Sequence, residues 1–98
     1  MRTVEWSTPA RRQFNAYIDY LIIENPRAAE RASKTVLTAA RRLATHPFIA
    51  RASRWPGLRE LSLTRWRKIV VYKVEGQLVR IVALYDARQD LTKVKPQE

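Results

Sequence analysis

Cysteine is absent from this chain, and with it go disulfides, thiolate nucleophiles and cysteine-based zinc sites. Histidine is nearly absent: His46 alone builds neither a histidine-rich metal site nor a Ser-His-Asp triad with a spare. No metal and no cofactor is expected. Glycine occurs only twice, which argues against a low-complexity or disordered chain. No window approaches the ~18–20 apolar residues that cross a bilayer. The opening MRTVEWSTPARRQ has no apolar run after its first cation, so no secretory signal is expected. The expected setting is the cytoplasm, without a membrane.

Acidic residues are scarce as well. Nine Asp and Glu face nineteen Lys and Arg, a net charge of +10, and fourteen of the cations are Arg. Such an excess favours polyanionic partners: nucleic acid, an acidic protein or a membrane surface. The plain alternative is a basic surface that aids solubility. Arginine enrichment leans toward phosphate or carboxylate recognition, since the guanidinium fork binds both bidentately.

What is present suffices for one core. A length of 98 residues with 46% hydrophobic content makes a single domain spanning 1–98. Thr3 to Trp6 reads as a strand, ended by Ser7-Thr8-Pro9. That end doubles as a helix start, with Thr8 as N-cap and Pro9 at the first helical position. Phe14, Ile18, Leu21 and Ile22, joined by Tyr17, recur at helical steps. Asn25-Pro26 breaks this helix and starts another, whose buried face is Ala29, Ala32, Val36, Ala40 and Leu43; Pro47 ends it. So short a connection makes an antiparallel helical hairpin.

Phe48 to Gly57 has no clear period. Three extended runs follow: Leu58 to Leu63, Lys68 to Glu75, and Leu78 to Tyr85, with a tight turn at Glu75-Gly76. The last two are almost continuously apolar, as strands covered on both faces or central in a sheet are. The polar tail from Ala87 is expected to be an ordered stub, with about 90–98 a loose end. The fold class is α+β, β-α-α-β-β-β, with the helices packed on the sheet.

Half of the net charge lies in residues 51–68: Arg51, Arg54, Arg59, Arg65, Arg67 and Lys68 against Glu60 alone. These cations flank a buried strand and come with Trp55 and Trp66, which makes a contact site out of what is otherwise a solvated face. Arg59 and Glu60 are candidates for a cross-strand ion pair. Trp66 reads equally as an interface anchor or as a cover for the sheet, and His46 as a helix-end residue near the terminal carbonyls.

A family likeness runs through these residues. Trp6-Ser7, Asn25-Pro26 with Ala28-Ala29, Leu43 with His46-Pro47, Gly57-Leu58-Arg59-Glu60-Leu61, Tyr72-Lys73-Val74 and Arg88-Gln89 together resemble the ParE branch of the RelE/ParE toxins. That resemblance implies the toxin half of a bacterial type II toxin–antitoxin module. It implies an acidic antitoxin partner that wraps the toxin and carries the operator-DNA contact. ParE-like members poison DNA gyrase, whereas RelE-like members cut messenger RNA on the ribosome. Under the RelE-like alternative the catalytic candidates are Arg67, Tyr85 and Arg88, with phosphate held by the arginines. Two departures favour the ParE reading: Arg59-Glu60-Leu61 stands where RelE-like members have paired lysines, and Tyr85 is followed by Asp86, which opposes a phosphate. Target or nucleic-acid contact is expected at Arg59, Arg65, Trp66, Arg67, Lys68 and Arg88. Antitoxin contact is expected at Ile18, Leu21, Ile22, Arg54 and Trp55. A third reading is a non-toxic basic nucleic-acid-binding module.

Overall fold

The computed structural model describes residues 1–98. Strand β1 (Thr3–Trp6) leads into helix α1 (Thr8–Glu24) and helix α2 (Pro26–Arg42); β2 (Arg51–Ala52), β3 (Arg59–Leu63), β4 (Lys68–Glu75) and β5 (Leu78–Asp86) follow. The sheet order is β1-β5-β4-β3-β2, with β1 parallel to β5 and every other pair antiparallel. No helix is long and apolar enough to cross a membrane. The expected α+β order holds, with one strand more than the three foreseen after the helices. β2 escapes a sequence reading because two residues display no period.

Both helix starts rest on side-chain caps. Ser7, not Thr8, caps α1: its hydroxyl accepts from the Ala10 N–H and donates to the Val82 carbonyl, while its own N–H bonds Ile81. The helix therefore begins one residue early, which Pro9 tolerates because first-turn amides need no helical partner. Asn25 serves both helices. Its N–H donates to Leu21, and its side-chain oxygen accepts from Ala28. The extended backbone this requires is the one Pro26 imposes on a preceding residue. α2 stops at Arg42 rather than running to Pro47, and the His46 backbone N–H bonds the Arg42 carbonyl.

The expected buried face of α2 is the observed one, with Ala29, Ala32, Val36, Ala40 and Leu43 all buried. On the helix side of the sheet, Val70, Tyr72, Val79, Ile81 and Leu84 pack with Ala10, Ala40 and Leu43. Ile69, Val71, Ala83 and Tyr85 face the other way and pack with Leu58 and Leu91. This second layer explains why β4 and β5 are apolar almost throughout. Its cover is the C-terminal segment expected to be loose: Leu91 is buried in a short 3-10 turn, and Val94 accepts from the Trp55 indole N–H at 2.9 Å. Burial of Leu91 and Pro96 holds the tail against the sheet. The hairpin turn is Gly76-Gln77, and Gly76 takes φ +56, the sign a two-residue hairpin loop demands.

Candidate target-contact surface

The six cations of residues 51–68 divide into two groups at opposite ends of β3. Four residue steps separate Arg59 from Leu63, about 13 Å of extended chain. At the first end Glu60 is 3% exposed and receives Arg51 at 2.8 Å and Arg54 at 3.0 Å. Burial pushes the Glu60 carboxyl up, but the hydrogen bonds from Arg54 and Arg51 outweigh it and hold it below its ordinary value. Arg59 makes no pair with Glu60, because consecutive strand residues point to opposite faces. Its guanidinium lies 4.8 Å from the Phe48 ring centroid and donates to the Ala50 carbonyl at 2.8 Å. All three cations at this end are thus engaged within the fold.

The second end is built by the β3–β4 connection. Thr64–Trp66 form a 3-10 turn, and Arg67 closes it in the left-handed region at φ 53. A non-glycine residue there carries a backbone cost of roughly 1–2 kcal/mol. Two backbone bonds hold it: Arg67 N–H to the Thr64 carbonyl, and the Ala87 N–H to the Arg67 carbonyl at 2.7 Å. The second ties this turn to the exit of β5. Arg65 and Arg67 project into solvent. Trp66 is half-buried, donates its indole N–H to the Thr35 hydroxyl at 3.3 Å, and has Arg65 stacked 5.4 Å from its ring centroid.

Sheet register then sets Lys68 opposite Asp86. The Lys68 ammonium lies 3.9 Å from the Asp86 carboxylate and 4.2 Å from the Tyr17 ring centroid. Burial pulls the Lys68 pKa down, and Asp86 partly restores it. Arg88 grips Asp86 with two parallel bonds, Nε to Oδ1 at 3.0 Å and Nη2 to Oδ2 at 2.9 Å. The Arg88 fork holds the Asp86 carboxyl well below the usual carboxylate range.

The structure therefore brings Arg65, Trp66, Arg67, Lys68 and Arg88 to one end of the sheet and leaves Arg59 at the other. The three residues of the ribonuclease alternative are not united. Tyr85 is 7% exposed and packs on the second face, 5.6 Å from Trp55 between ring centroids, whereas Lys68 and Asp86 face the helices. Burial raises the Tyr85 phenol above its ordinary value, away from the range of a base at neutral pH.

Among the residues expected to meet an antitoxin, Ile18 and Leu21 are half-buried and Ile22 is exposed. Trp55 is half-buried, with its indole donor spent on Val94, and Arg54 is paired with Glu60. Sequence reasoning passed over Ile23, 83% exposed, and Tyr20, 60% exposed, which widen the apolar outer side of α1. It also took Tyr17 for core and Asp86 for an obstacle. Both stand against Lys68, and the strand pairing that unites them has no local sequence signal.

A family model described as the ParE toxin of type II toxin–antitoxin systems, parDE, matches residues 4–91. No curated protein sequence matches the chain. Among solved structures, a chain of the chromosomal ParDE system from P. aeruginosa has the same fold, with a TM-score of 0.77 at 24% identity over 88% of this chain and 96% of that one. A model that spans nearly the whole sheet and both helices places the chain within one family: it belongs to the ParE toxins of type II toxin–antitoxin systems.

Proposed function

We propose that this chain arrests growth by binding DNA gyrase in the cytoplasm, and that a cognate acidic antitoxin neutralises it. The observation that carries the binding mode is the placement of Tyr85. Its phenol packs on the sheet face opposite the Lys68–Asp86–Arg88 group, so the tyrosine that the ribonuclease reading pairs with the arginines does not reach them, which favours contact over reaction. The exposed cations Arg65 and Arg67, with half-buried Trp66 between them, offer a compact anchor for a charged target surface. Purified protein added to gyrase and relaxed plasmid tests this reading. Loss of supercoiling with accumulation of cleaved DNA is expected; unimpaired supercoiling overturns it.

Antitoxin binding has separate support. A net charge of +10 draws an acidic chain, and Ile22 and Ile23 leave exposed apolar side chains near the C-terminal end of α1. The antitoxin would also carry the complex to operator DNA. The ribosome-dependent nuclease reading keeps one observation in its favour, the backbone bond that draws Arg67 next to the Arg88 segment. Codon-linked cuts in a translated message, mapped by primer extension with and without the protein, would install it in place of gyrase binding.

A further inference from the structure

Between α1 and the C-terminal end of β5 lies an open cleft of about 460 Å³, within the size range of small-ligand sites. Tyr17 and Tyr20 form one wall, three residues apart on α1 and so on one face of it. Lys68, Asp86 and Arg88 form the charged end, and Gln13 and Gln89 bring two amides. We infer that this cleft is a nucleotide-binding site: the phosphate meets Lys68 and Arg88, and the base lies on Tyr20.

Four features point to that ligand. Charge comes first: two cations share one carboxylate, so the cleft keeps a net +1. The Lys68 ammonium is largely shielded from water against Tyr17, where an anion interacts more strongly than at a wet surface. Second, the Tyr20 ring is 60% exposed, the platform that base stacking uses. Third, the Gln13 side-chain oxygen is occupied by the Leu84 N–H at 2.8 Å, which fixes the amide with its NH₂ as the remaining donor toward a base edge. A carboxylate alone would satisfy the cations and leave both amides and the ring unmatched. Fourth, Asp86 already fills the Arg88 fork bidentately, the position a phosphate takes. It is therefore a built-in competitor that a ligand phosphate displaces.

A nucleoside phosphate reaches such a cleft free or as one residue of a single strand, and the test separates the two. Isotope-labelled protein is titrated with AMP, adenosine, inorganic phosphate, a short single-stranded oligonucleotide and an acidic peptide, following backbone amides by NMR. AMP or the oligonucleotide is expected to shift Tyr17, Tyr20 and residues 84–89; binding by AMP indicates a free-nucleotide site, and by the oligonucleotide alone a strand site. Tyr20→Ala, an exposed position, should weaken binding about tenfold, the scale of one lost stacking contact. Lys68→Gln should weaken it similarly, and Asp86→Asn should tighten it about threefold or more by releasing the fork. Absence of shifts in this region overturns the inference. So does inorganic phosphate or the acidic peptide binding as well as AMP without regard to Tyr20, or a loss of affinity in Asp86→Asn. Gyrase is absent from every arm, so the outcome leaves the gyrase reading to its own assay.

Discussion

The indole N–H of Trp55 donates to the Val94 carbonyl at 2.9 Å, joining the loop before β3 to the C-terminal segment. Around this bond Leu91 and Val94 pack with Ile69, Val71 and Tyr85, so the tail is part of the core's second layer. Removing the donor with Trp55→Phe should cost about 1 kcal/mol. Leu91→Ala should cost about 2–3 kcal/mol, the lower part of the range for a buried leucine. Denaturant unfolding measures both, and a loss below about 0.5 kcal/mol for Leu91→Ala would mean the tail contributes nothing.

Glu60 makes stability depend on acid. Its folded pKa lies below its unfolded one, so its contribution is complete above the unfolded value of about 4.3 and fades as pH falls through the folded value. Because both arginine partners are substantially exposed, solvent screening keeps the effect at about 1 kcal/mol. Glu60→Gln should lower stability by that amount at pH 7 and flatten the acid decline below about pH 4.3. Equal slopes for both proteins between pH 5 and 3 would refute the assignment.

Much of this was legible beforehand, and the gaps have physical causes. The cap at Asn25, the small-residue face of α2 and the two apolar strands are written in the local sequence, whereas the α1 cap falls at Ser7, one residue before the Thr8 expected. The pairing of Glu60 is not, since Arg51 reaches it through a two-residue strand across a nine-residue separation. Asp86 looked like an obstacle to anions next to Tyr85 in sequence. Register reveals it as the counter-ion of Lys68, eighteen positions away.

Arg67 allows charge to be separated from backbone geometry. Arg67→Gly removes the guanidinium and relieves the left-handed cost, offset by unfolded-chain entropy, so stability should hold or rise by up to about 1 kcal/mol. Arg67→Ala removes the same charge and leaves the strain. If the side chain serves the target, both variants should lose gyrase inhibition about equally, at least about tenfold, a loss equivalent to ~1.4 kcal/mol of binding. Inhibition that survives in Arg67→Gly would assign the position to the turn alone.

Ile23 tests the antitoxin surface. At 83% exposed it touches little within the fold, so Ile23→Arg should change stability by less than about 0.5 kcal/mol. Growth arrest should persist, while rescue by the co-expressed antitoxin should weaken. A fully rescued variant would place the antitoxin elsewhere.

Asn25 ends one helix and begins the next with no residue to spare. Such a joint has almost no play, for the same residue bonds backward to Leu21 and forward to Ala28 and Ala29. The two helices are consequently coupled through a single residue. α2 is in turn tied to the basic turn by the Trp66–Thr35 bond. An antitoxin held on α1 would thus sit two joints, Asn25 and the Trp66–Thr35 bond, away from the turn that presents the cations.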